Sequence, residues 1–378
     1  MPTAAHAADV AVAGGGPIGL ALAWRAAQRG LSVVVADPEP GGGAAWAAAG
    51  MLAPVTEVHP GEEALLALNL ASAARYPAFV AELEDVSGMD TGHRTEGTLV
   101  VARDRDDLEA LEELRRLQAS LGLASDRLTS RECRALEPGL APSVRGGLLV
   151  HGDHQVDGRL LVRALLAACE RAGVRLVRSA VTALRRDGAA VTGVELADGA
   201  AVEAPQVVLA AGAWSAGIAG IPDGLLPVRP VKGQIVYLRG PAGALAGRNI
   251  RGVEVYVVPH RDGRVAVGAT MEELGFDATP TAGAVHELLR AARELLPWVD
   301  ELAFEDVVVS FRPATPDNGP LLGPTGVEGL LAATGHHRNG ILLTPATADA
   351  LAGCLSGGGL EGPAAAFDAR RFGRVVAA

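Results

Sequence analysis

A glycine-rich turn near the start of the chain restricts the possible folds more than any other feature. Residues 9–13 are typical of a short buried strand, and Gly14, Gly16 and Gly19 follow it at the spacing G-x-G-x-x-G. The pattern after the turn predicts a helix over residues 17–29. Glycines allow close approach of a pyrophosphate to the backbone, and a helix N-terminus favours negative charge. The segment therefore predicts a site for the phosphates of a nucleotide.

The next apolar segment extends this pattern to a strand–helix–strand unit. Residues 31–36 are typical of a buried parallel strand, and the strand ends at Asp37. A carboxylate at this place accepts hydrogen bonds from a ribose diol and repels a 2′-phosphate, which disfavours NADP. Together these features predict a dinucleotide site, and a tight turn with only a structural role is the alternative. The motif alone does not separate NAD from FAD.

Composition limits the class of protein. A chain of 378 residues favours two domains, and a net charge of −11 argues against nucleic-acid and anionic-membrane partners. The cysteines Cys133, Cys169 and Cys354 lie far apart, without the spacing of a disulfide framework or a zinc site. No segment has the pattern of a signal peptide or a membrane span. We expect a cytoplasmic protein with no metal site.

The remaining patterns predict an α/β (α+β) fold in which a Rossmann-type domain carries an inserted, antiparallel β-rich domain for the substrate. Two apolar segments flank a turn at Asp262-Gly263, which is a hairpin signal. The predicted division is discontinuous. The cofactor domain comprises residues 1–85, 150–225 and 305–365, and the substrate domain comprises residues 86–149 and 226–304.

Five further segments carry a resemblance to a known family. They are residues 47–52 (AAAGML), 208–215 (VLAAGAWS), 255–259 (VYVVP), 267–272 (VGATME) and 335–342 (GHHRNGIL). With the glycine turn, His154-Gln155-Val156-Asp157 and Arg312-Pro313, they resemble the D-amino acid oxidase superfamily. Within it the chain is similar to the glycine oxidases of the ThiO type, which serve thiamine biosynthesis. The resemblance covers essentially the whole chain in the right order.

The resemblance implies FAD and a set of residues around it. We expect the FAD to be bound non-covalently, because no cysteine falls between Cys169 and Cys354. Besides the three motif glycines, the residues implied near the cofactor are Pro17, Ile18, Asp37, Pro38, Ala44, Ala45, Ala49, Gly50, Met51, Val181, His336, His337, Arg338, Asn339, Gly340, Ile341 and Leu342. Ala44 and Ala45 depart from the pattern, because relatives often carry hydroxyl groups there. Residues 335–340 precede a predicted helix, so their N–H groups can face an anion such as reduced flavin.

The resemblance also implies the residues that meet the substrate. Arg312 and Arg338 match substrate-binding arginines, and Tyr256 matches an active-site tyrosine. Met271 is a further candidate for the pocket wall, with core packing as the alternative. Glu254 departs from the pattern, because some glycine oxidases carry a histidine beside the substrate at this place.

The residue types suit the implied chemistry. A guanidinium binds a carboxylate through two parallel hydrogen bonds, and Arg312 follows an apolar strand predicted over residues 307–311. Alternation places Tyr256 and Met271 on neighbouring hairpin strands. The alternatives are an exposed arginine at the end of a strand and a tyrosine that only packs.

The expected activity is FAD-dependent oxidation of glycine, sarcosine or a small D-amino acid to an imine and then to an α-keto acid and ammonia. Oxygen would be reduced to hydrogen peroxide, and the family resemblance suggests a homotetramer. A sarcosine or D-amino acid oxidase or dehydrogenase on the same scaffold is one alternative. An NAD-dependent dehydrogenase and a non-catalytic flavoprotein are alternatives from other classes.

Overall fold

A computed structural model describes residues 6–241 and 246–373 of the chain. The helices are α1 (Pro17–Gln28), α2 (Ala44–Ala47), α3 (Glu63–Ser87), α4 (Arg105–Ser120), α5 (Ser130–Leu136), α6 (Gly158–Arg171), α7 (Ala282–Leu295) and α8 (Thr344–Leu355). The strands are β1 (His6–Ala7), β2 (Val10–Ala13), β3 (Val33–Ala36), β4 (Met51–Leu52), β5 (Thr98–Ala102), β6 (Asp126–Thr129), β7 (Gly146–Val150), β8 (His154–Gln155), β9 (Arg175–Val177), β10 (Val181–Asp187), β11 (Ala190–Leu196), β12 (Ala201–Glu203), β13 (Gln206–Leu209), β14 (Arg229–Arg239), β15 (Asn249–Arg251), β16 (Tyr256–Pro259), β17 (Arg264–Gly268), β18 (Ala303–Ala314), β19 (Leu321–Pro324) and β20 (Leu330–Thr334).

The predicted strand–helix–strand unit is confirmed as the centre of a six-stranded sheet. Its order is β19-β20-β13-β2-β3-β9, and every pair is parallel except β19 with β20. Strands β2 and β3 are buried at every residue, as expected for a sheet covered on both faces. Helices α1, α3, α6 and α8 contribute to the core on one face, and the four-stranded sheet β1-β12-β11-β10 contributes to the core on the other.

The β-rich part forms an eight-stranded sheet in the order β18-β14-β17-β16-β15-β5-β7-β6. All its pairs are antiparallel except β15 with β5, which agrees with the predicted antiparallel architecture. Helix α7 packs on this sheet through Leu288, Ala292 and Leu295. The predicted division began a cofactor segment at residue 305, but that position lies inside β18, which pairs with β14 along its length.

One helix differs from the expectation drawn from the sequence. Helix α3 is long and apolar enough to span a membrane, with a mean hydropathy of 1.3 over an 18-residue stretch, so the prediction that no segment has the pattern of a membrane span is wrong. In the structure, Tyr76 and Leu83 of this helix are fully buried, and the helix packs against α6 and α8. The Tyr76 hydroxyl donates to the Ile341 carbonyl at 2.8 Å. Helix α3 is thus a core element of the described structure.

Candidate active site

A cavity of about 1230 Å³ joins the glycine turn to the eight-stranded sheet. Gly14 and Gly16 line one part of it, and Tyr256 and Arg312 line another. The carboxyl ends of parallel strands are the usual place for a ligand in an open α/β sheet. The cavity therefore brings the two ends of the site predicted from the sequence into one space.

The three motif glycines have different roles in the turn. Gly14 has φ +112, and a Cβ there would lie 2.4 Å from the Ala210 carbonyl oxygen. A Cβ at Gly19 would lie 2.0 Å from the Gly14 oxygen, so Gly19 permits close packing of helix on strand and does not line the cavity. Gly16 is open, because a Cβ there would meet nothing within 4 Å. No side chain caps the N-terminus of α1, whose first residues Pro17 and Ile18 line the cavity.

Asp37 holds the glycine turn in shape. Its Oδ2 accepts a hydrogen bond from the Gly15 N–H at 2.7 Å, and its Oδ1 accepts one from the Glu39 N–H at 2.7 Å. Asp37 and Pro38 both line the cavity. A contact from Asp37 to a ribose stays a prediction, and the loop contacts are a second role that the sequence did not indicate.

The segment after β3, which contains α2 and the start of β4, forms another wall together with the first residue of β10. Ala44, Ala45, Ala49, Gly50, Met51 and Val181 all line the cavity. Gly50 has φ +85, and a Cβ there would lie 1.7 Å from the Val156 carbonyl oxygen, so only glycine fits. Ala44 and Ala45 carry no polar side-chain atoms. Any hydrogen bond from these two residues to a ligand in the cavity must therefore come from their backbone groups.

The segment predicted to surround the cofactor lies only partly on the wall. His336, His337, Arg338, Gly340 and Ile341 line the cavity. The other two predicted members, Asn339 and Leu342, are buried away from the cavity wall. Helix α8 begins at Thr344. Residues 335–340 lie before it and contain a short 3-10 turn at His337–Asn339, so they do not form the first turn of α8.

His336 gives the fold a predicted dependence on pH. Its Nε2 lies 3.0 Å from the Thr347 hydroxyl, and burial lowers its pKa to about 3. In the unfolded chain a histidine titrates near pH 6.5, so below that pH the unfolded state binds a proton that the folded state does not. The free energy of unfolding is therefore little affected by protonation of this histidine at neutral pH, and it decreases as the pH falls from about 6.5 towards 3.

We expect His336 to lower the free energy of unfolding by about 2 kcal/mol between pH 7 and pH 5. Denaturant unfolding gives the free energy of unfolding of the wild type and of His336→Gln at several pH values. The difference between the slopes of the two plots of this free energy against pH measures the contribution of His336. Burial raises the pKa of Asp153 to about 6, which acts in the opposite direction, but Asp153 is common to both proteins and cancels. Parallel curves for the two proteins would contradict the assignment to His336.

The side chains of Arg312 and Tyr256 line the cavity next to Gly233 and Gly268, which leave room for them because they have no Cβ. Arg312 lies within β18, which extends three residues beyond the predicted strand end at residue 311. A Cβ at Gly233 would lie 2.4 Å from the Arg312 Nη1, and a Cβ at Gly268 would lie 2.5 Å from the Tyr256 Oη. The Arg312 Nη1 donates to the Thr270 carbonyl at 3.0 Å, which fixes the guanidinium.

The Tyr256 phenol stays protonated at this site. Burial raises the pKa of Tyr256 to about 12, although the positive charge of Arg312 opposes the shift. A neutral phenol can donate a hydrogen bond. Arg312 and Tyr256 together can therefore hold one carboxylate.

Glu57 and a third arginine, Arg251, also line this end of the cavity, and Glu62 pairs with Arg338 without lining it. The sequence did not indicate these three residues. The Arg251 Nη1 lies 2.5 Å from the Glu57 Oε1, and the Arg338 Nε lies 3.5 Å from the Glu57 Oε2. The Arg338 Nη2 also pairs with the Glu62 Oε2 at 3.0 Å. Burial would raise the pKa of Glu57, but Arg251 and Arg338 hold it below its usual value. Arg338, predicted to bind substrate, is thus paired with two carboxylates.

Met271 and Glu254 lie at the rim of the cavity. Met271 comes after the end of β17, not on that strand as alternation predicted, and its 64 % exposure excludes a core role. Glu254 pairs with the Arg103 Nη1 at 3.3 Å and the Arg290 Nη2 at 3.5 Å. The rim also carries stacked rings of Trp214 and Phe276, 5.4 Å apart.

Comparison with known proteins agrees with this architecture. The model of the DAO family, described as FAD dependent oxidoreductase, matches residues 9–353. Glycine oxidase of Pseudomonas aeruginosa is 36 % identical over 92 % of this chain and 94 % of that protein. The crystal structure of glycine oxidase from Geobacillus kaustophilus has a TM-score of 0.89 and 33 % identity, covering 97 % of this chain and 99 % of its own.

Some relatives are longer than this chain. The bifunctional protein ThiO/ThiG of Trichormus variabilis is 36 % identical over 91 % of this chain but only 52 % of its own length. The chain thus spans about half the length of such curated relatives. Because the family model covers nearly every described element, from the first central strand to α8, the chain belongs to the DAO family of FAD-dependent oxidoreductases.

Proposed function

We propose that this chain oxidises glycine or a similarly small amino acid at its amine-bearing carbon, with oxygen as the electron acceptor. In the case of glycine, one molecule each of glycine, O₂ and water gives glyoxylate, ammonia and hydrogen peroxide. The observation that carries the proposal is the position of Arg312. Its guanidinium has no carboxylate partner among the described residues, and it lines the same cavity as the glycine turn.

The residues present fit FAD. The N-terminus of α1 has no side-chain cap, and the open position at Gly16 leaves room for a pyrophosphate beside it. Asp37, which follows β3, would accept a hydrogen bond from the adenosine ribose, and Ala49, Gly50 and Met51 would border the flavin. When bound, FAD supplies the acceptor for the hydride that leaves the substrate carbon.

The protein's own side chains would orient the substrate and set its protonation. Arg312 binds the carboxylate, and the Tyr256 hydroxyl donates a further hydrogen bond to it. Hydride loss requires a neutral amine, and a nearby positive charge disfavours the ammonium form. Arg312 therefore also favours the reactive form of the substrate. Close to this site, Ala49, Ile235 and Val258 form a buried apolar cluster that limits access of water.

Oxygen consumption with a set of amines tests the proposal. Glycine, sarcosine, D-alanine and D-proline should be turned over with stoichiometric peroxide, and primary amines without a carboxylate should be poor substrates. Identification of glyoxylate from glycine checks the product. Equal turnover of amines with and without a carboxylate would speak against the role of Arg312. Reduction of added NAD without oxygen uptake would support a dehydrogenase instead.

We expect Asp37→Ala to weaken FAD binding. The change removes two hydrogen bonds that hold the phosphate turn and the acceptor proposed for the ribose. A hydrogen bond to a charged group contributes about 1.5–3 kcal/mol, which corresponds to about ten- to a hundredfold in affinity. Flavin retained after ultrafiltration at graded protein concentration measures the change. Retention equal to that of the wild type would contradict the assignment.

We infer a soluble, cytoplasmic homotetramer that serves formation of the thiamine thiazole, supported by the resemblance to ThiO-type glycine oxidases. The division into a cofactor unit and a substrate unit is supported by the two large sheets, with β18 assigned to the substrate sheet that it pairs with. Size-exclusion chromatography with light scattering tests the oligomeric state.

A further inference from the structure

Arginine and glutamate side chains meet at the substrate end of the cavity. Three guanidinium groups line it, those of Arg251, Arg312 and Arg338. Glu57 lies between Arg251 and Arg338, and Glu62 binds Arg338 from the other side. Arg251 and Arg338 are thus paired with carboxylates, whereas Arg312 has no carboxylate partner among the described residues.

The other titratable groups nearby do not give Arg312 a carboxylate partner. Asp153 is a buried neighbour of Glu57 and Arg251, but it accepts hydrogen bonds from Val55 and Thr56 and does not line the cavity. His59 and His337 also line the cavity, and burial and the charge of Arg338 lower the pKa of both. Both are therefore neutral near pH 7. Glu254 at the rim is balanced by its pairs with Arg103 and Arg290. At this end of the cavity, Arg312 is thus the guanidinium that is left to bind one substrate carboxylate.

We propose that Glu57 determines specificity by restricting the site to amino acids with a single carboxylate. This inference rests on the proposed function and names a residue that selects among its substrates. Glu57 lines the cavity, and its side chain is 16 % exposed, so its charge acts in a poorly solvated place. It occupies the two guanidinium groups that a second substrate carboxylate would need.

A substrate with two carboxylates shows the consequence. In iminodiacetate, the nitrogen of glycine carries a second carboxymethyl group. With one carboxylate on Arg312, the second would approach the region of Arg251 and Arg338, where it meets the like charge of Glu57. Repulsion of this kind is a common means of rejecting a competing ligand. The oxidation itself is unchanged: iminodiacetate, O₂ and water give glycine, glyoxylate and hydrogen peroxide.

The test is the ratio of kcat/KM for iminodiacetate to kcat/KM for glycine in Glu57→Gln and in the wild type. Glutamine keeps the shape and one hydrogen bond but removes the charge, so we expect the ratio to rise by about tenfold or more. Glu62→Gln is the matched control, since Glu62 also pairs with Arg338 but does not line the cavity. Its ratio should change by less than about threefold.

Inhibition of the wild type gives an independent readout. Acetate should compete with glycine, whereas malonate, which is acetate with a second carboxylate, should bind at least about tenfold more weakly. In the FAD-loaded Glu57→Gln protein, malonate should bind more tightly than acetate. Spectral perturbation of the bound flavin reports both affinities, so this readout does not depend on turnover.

An unchanged ratio in Glu57→Gln, or an equal rise in Glu62→Gln, would overturn the inference. If Glu57→Gln fails to retain FAD, the relative affinities of the wild type for acetate and malonate test the inference. Malonate binding as tight as acetate binding would then refute the role of Glu57. Failure of the proposed function looks different. In that case the wild type oxidises no monocarboxylic amino acid, whatever the order of acetate and malonate.

Discussion

Replacement of Arg312 by alanine is expected to lower kcat/KM for glycine by about thirty- to several-thousandfold while the FAD-loaded protein stays folded. Glycine has no side chain, so its carboxylate is nearly the only group by which its α-carbon can be positioned. Loss of one member of a desolvated, hydrogen-bonded charge pair costs about 2–5 kcal/mol. That range corresponds to the stated loss of kcat/KM. Steady-state oxygen uptake measures it, and bound flavin per chain confirms folding.

Two controls separate carboxylate binding from general damage. Arg312→Lys should recover only part of the activity, because an ammonium cannot form two parallel hydrogen bonds. A primary amine without a carboxylate is a poor substrate of the wild type and should barely respond to the change. Glycine oxidation at near wild-type efficiency by Arg312→Ala would refute the role. An equal loss with amine and amino acid would refute it as well.

The second large effect is expected at the glycine turn, where Gly14→Ala should destabilise the fold itself. The new Cβ would lie 2.4 Å from a backbone oxygen, and φ +112 is unfavourable for alanine. Strain and steric overlap together should cost about 3 kcal/mol or more in the free energy of unfolding. Denaturant unfolding of the apoprotein, prepared by removal of FAD, measures this loss without a contribution from cofactor binding.

Gly16→Ala is the matched control, because its Cβ would meet nothing within 4 Å and its φ is −75. We expect apoprotein stability to stay within about 0.5 kcal/mol of the wild type. FAD affinity should nevertheless fall by about tenfold or more, since the methyl group would stand where the pyrophosphate approaches the backbone. If the two variants behaved alike in both measurements, the distinction between the two glycines would be wrong.

The sequence was most informative where structure depends on neighbours along the chain. The unit from β2 to β3 was predicted because buried strands, turn glycines and a helix start each leave a local pattern. The hairpin of β16 and β17 was predicted for the same reason. Met271 was misplaced because alternation was continued past Gly268, where the strand ends.

Contacts between distant segments were not predictable in this way. The Glu57–Arg251 pair joins residues 194 positions apart, and neither side chain belongs to a local motif. The pairing of Arg338 with Glu57 and Glu62 likewise requires the tertiary structure. Apolar character alone did not identify α3 as a core helix, because a buried helix and a membrane span share length and composition.

The most direct test of the central claim is anaerobic mixing of the purified FAD-loaded protein with glycine, followed by its absorbance near the flavin bands. The account predicts that the yellow colour bleaches and returns on admission of oxygen, with one glyoxylate and one hydrogen peroxide formed for each flavin reoxidised. Persistence of the oxidised flavin spectrum with glycine, sarcosine and small D-amino acids alike would contradict it.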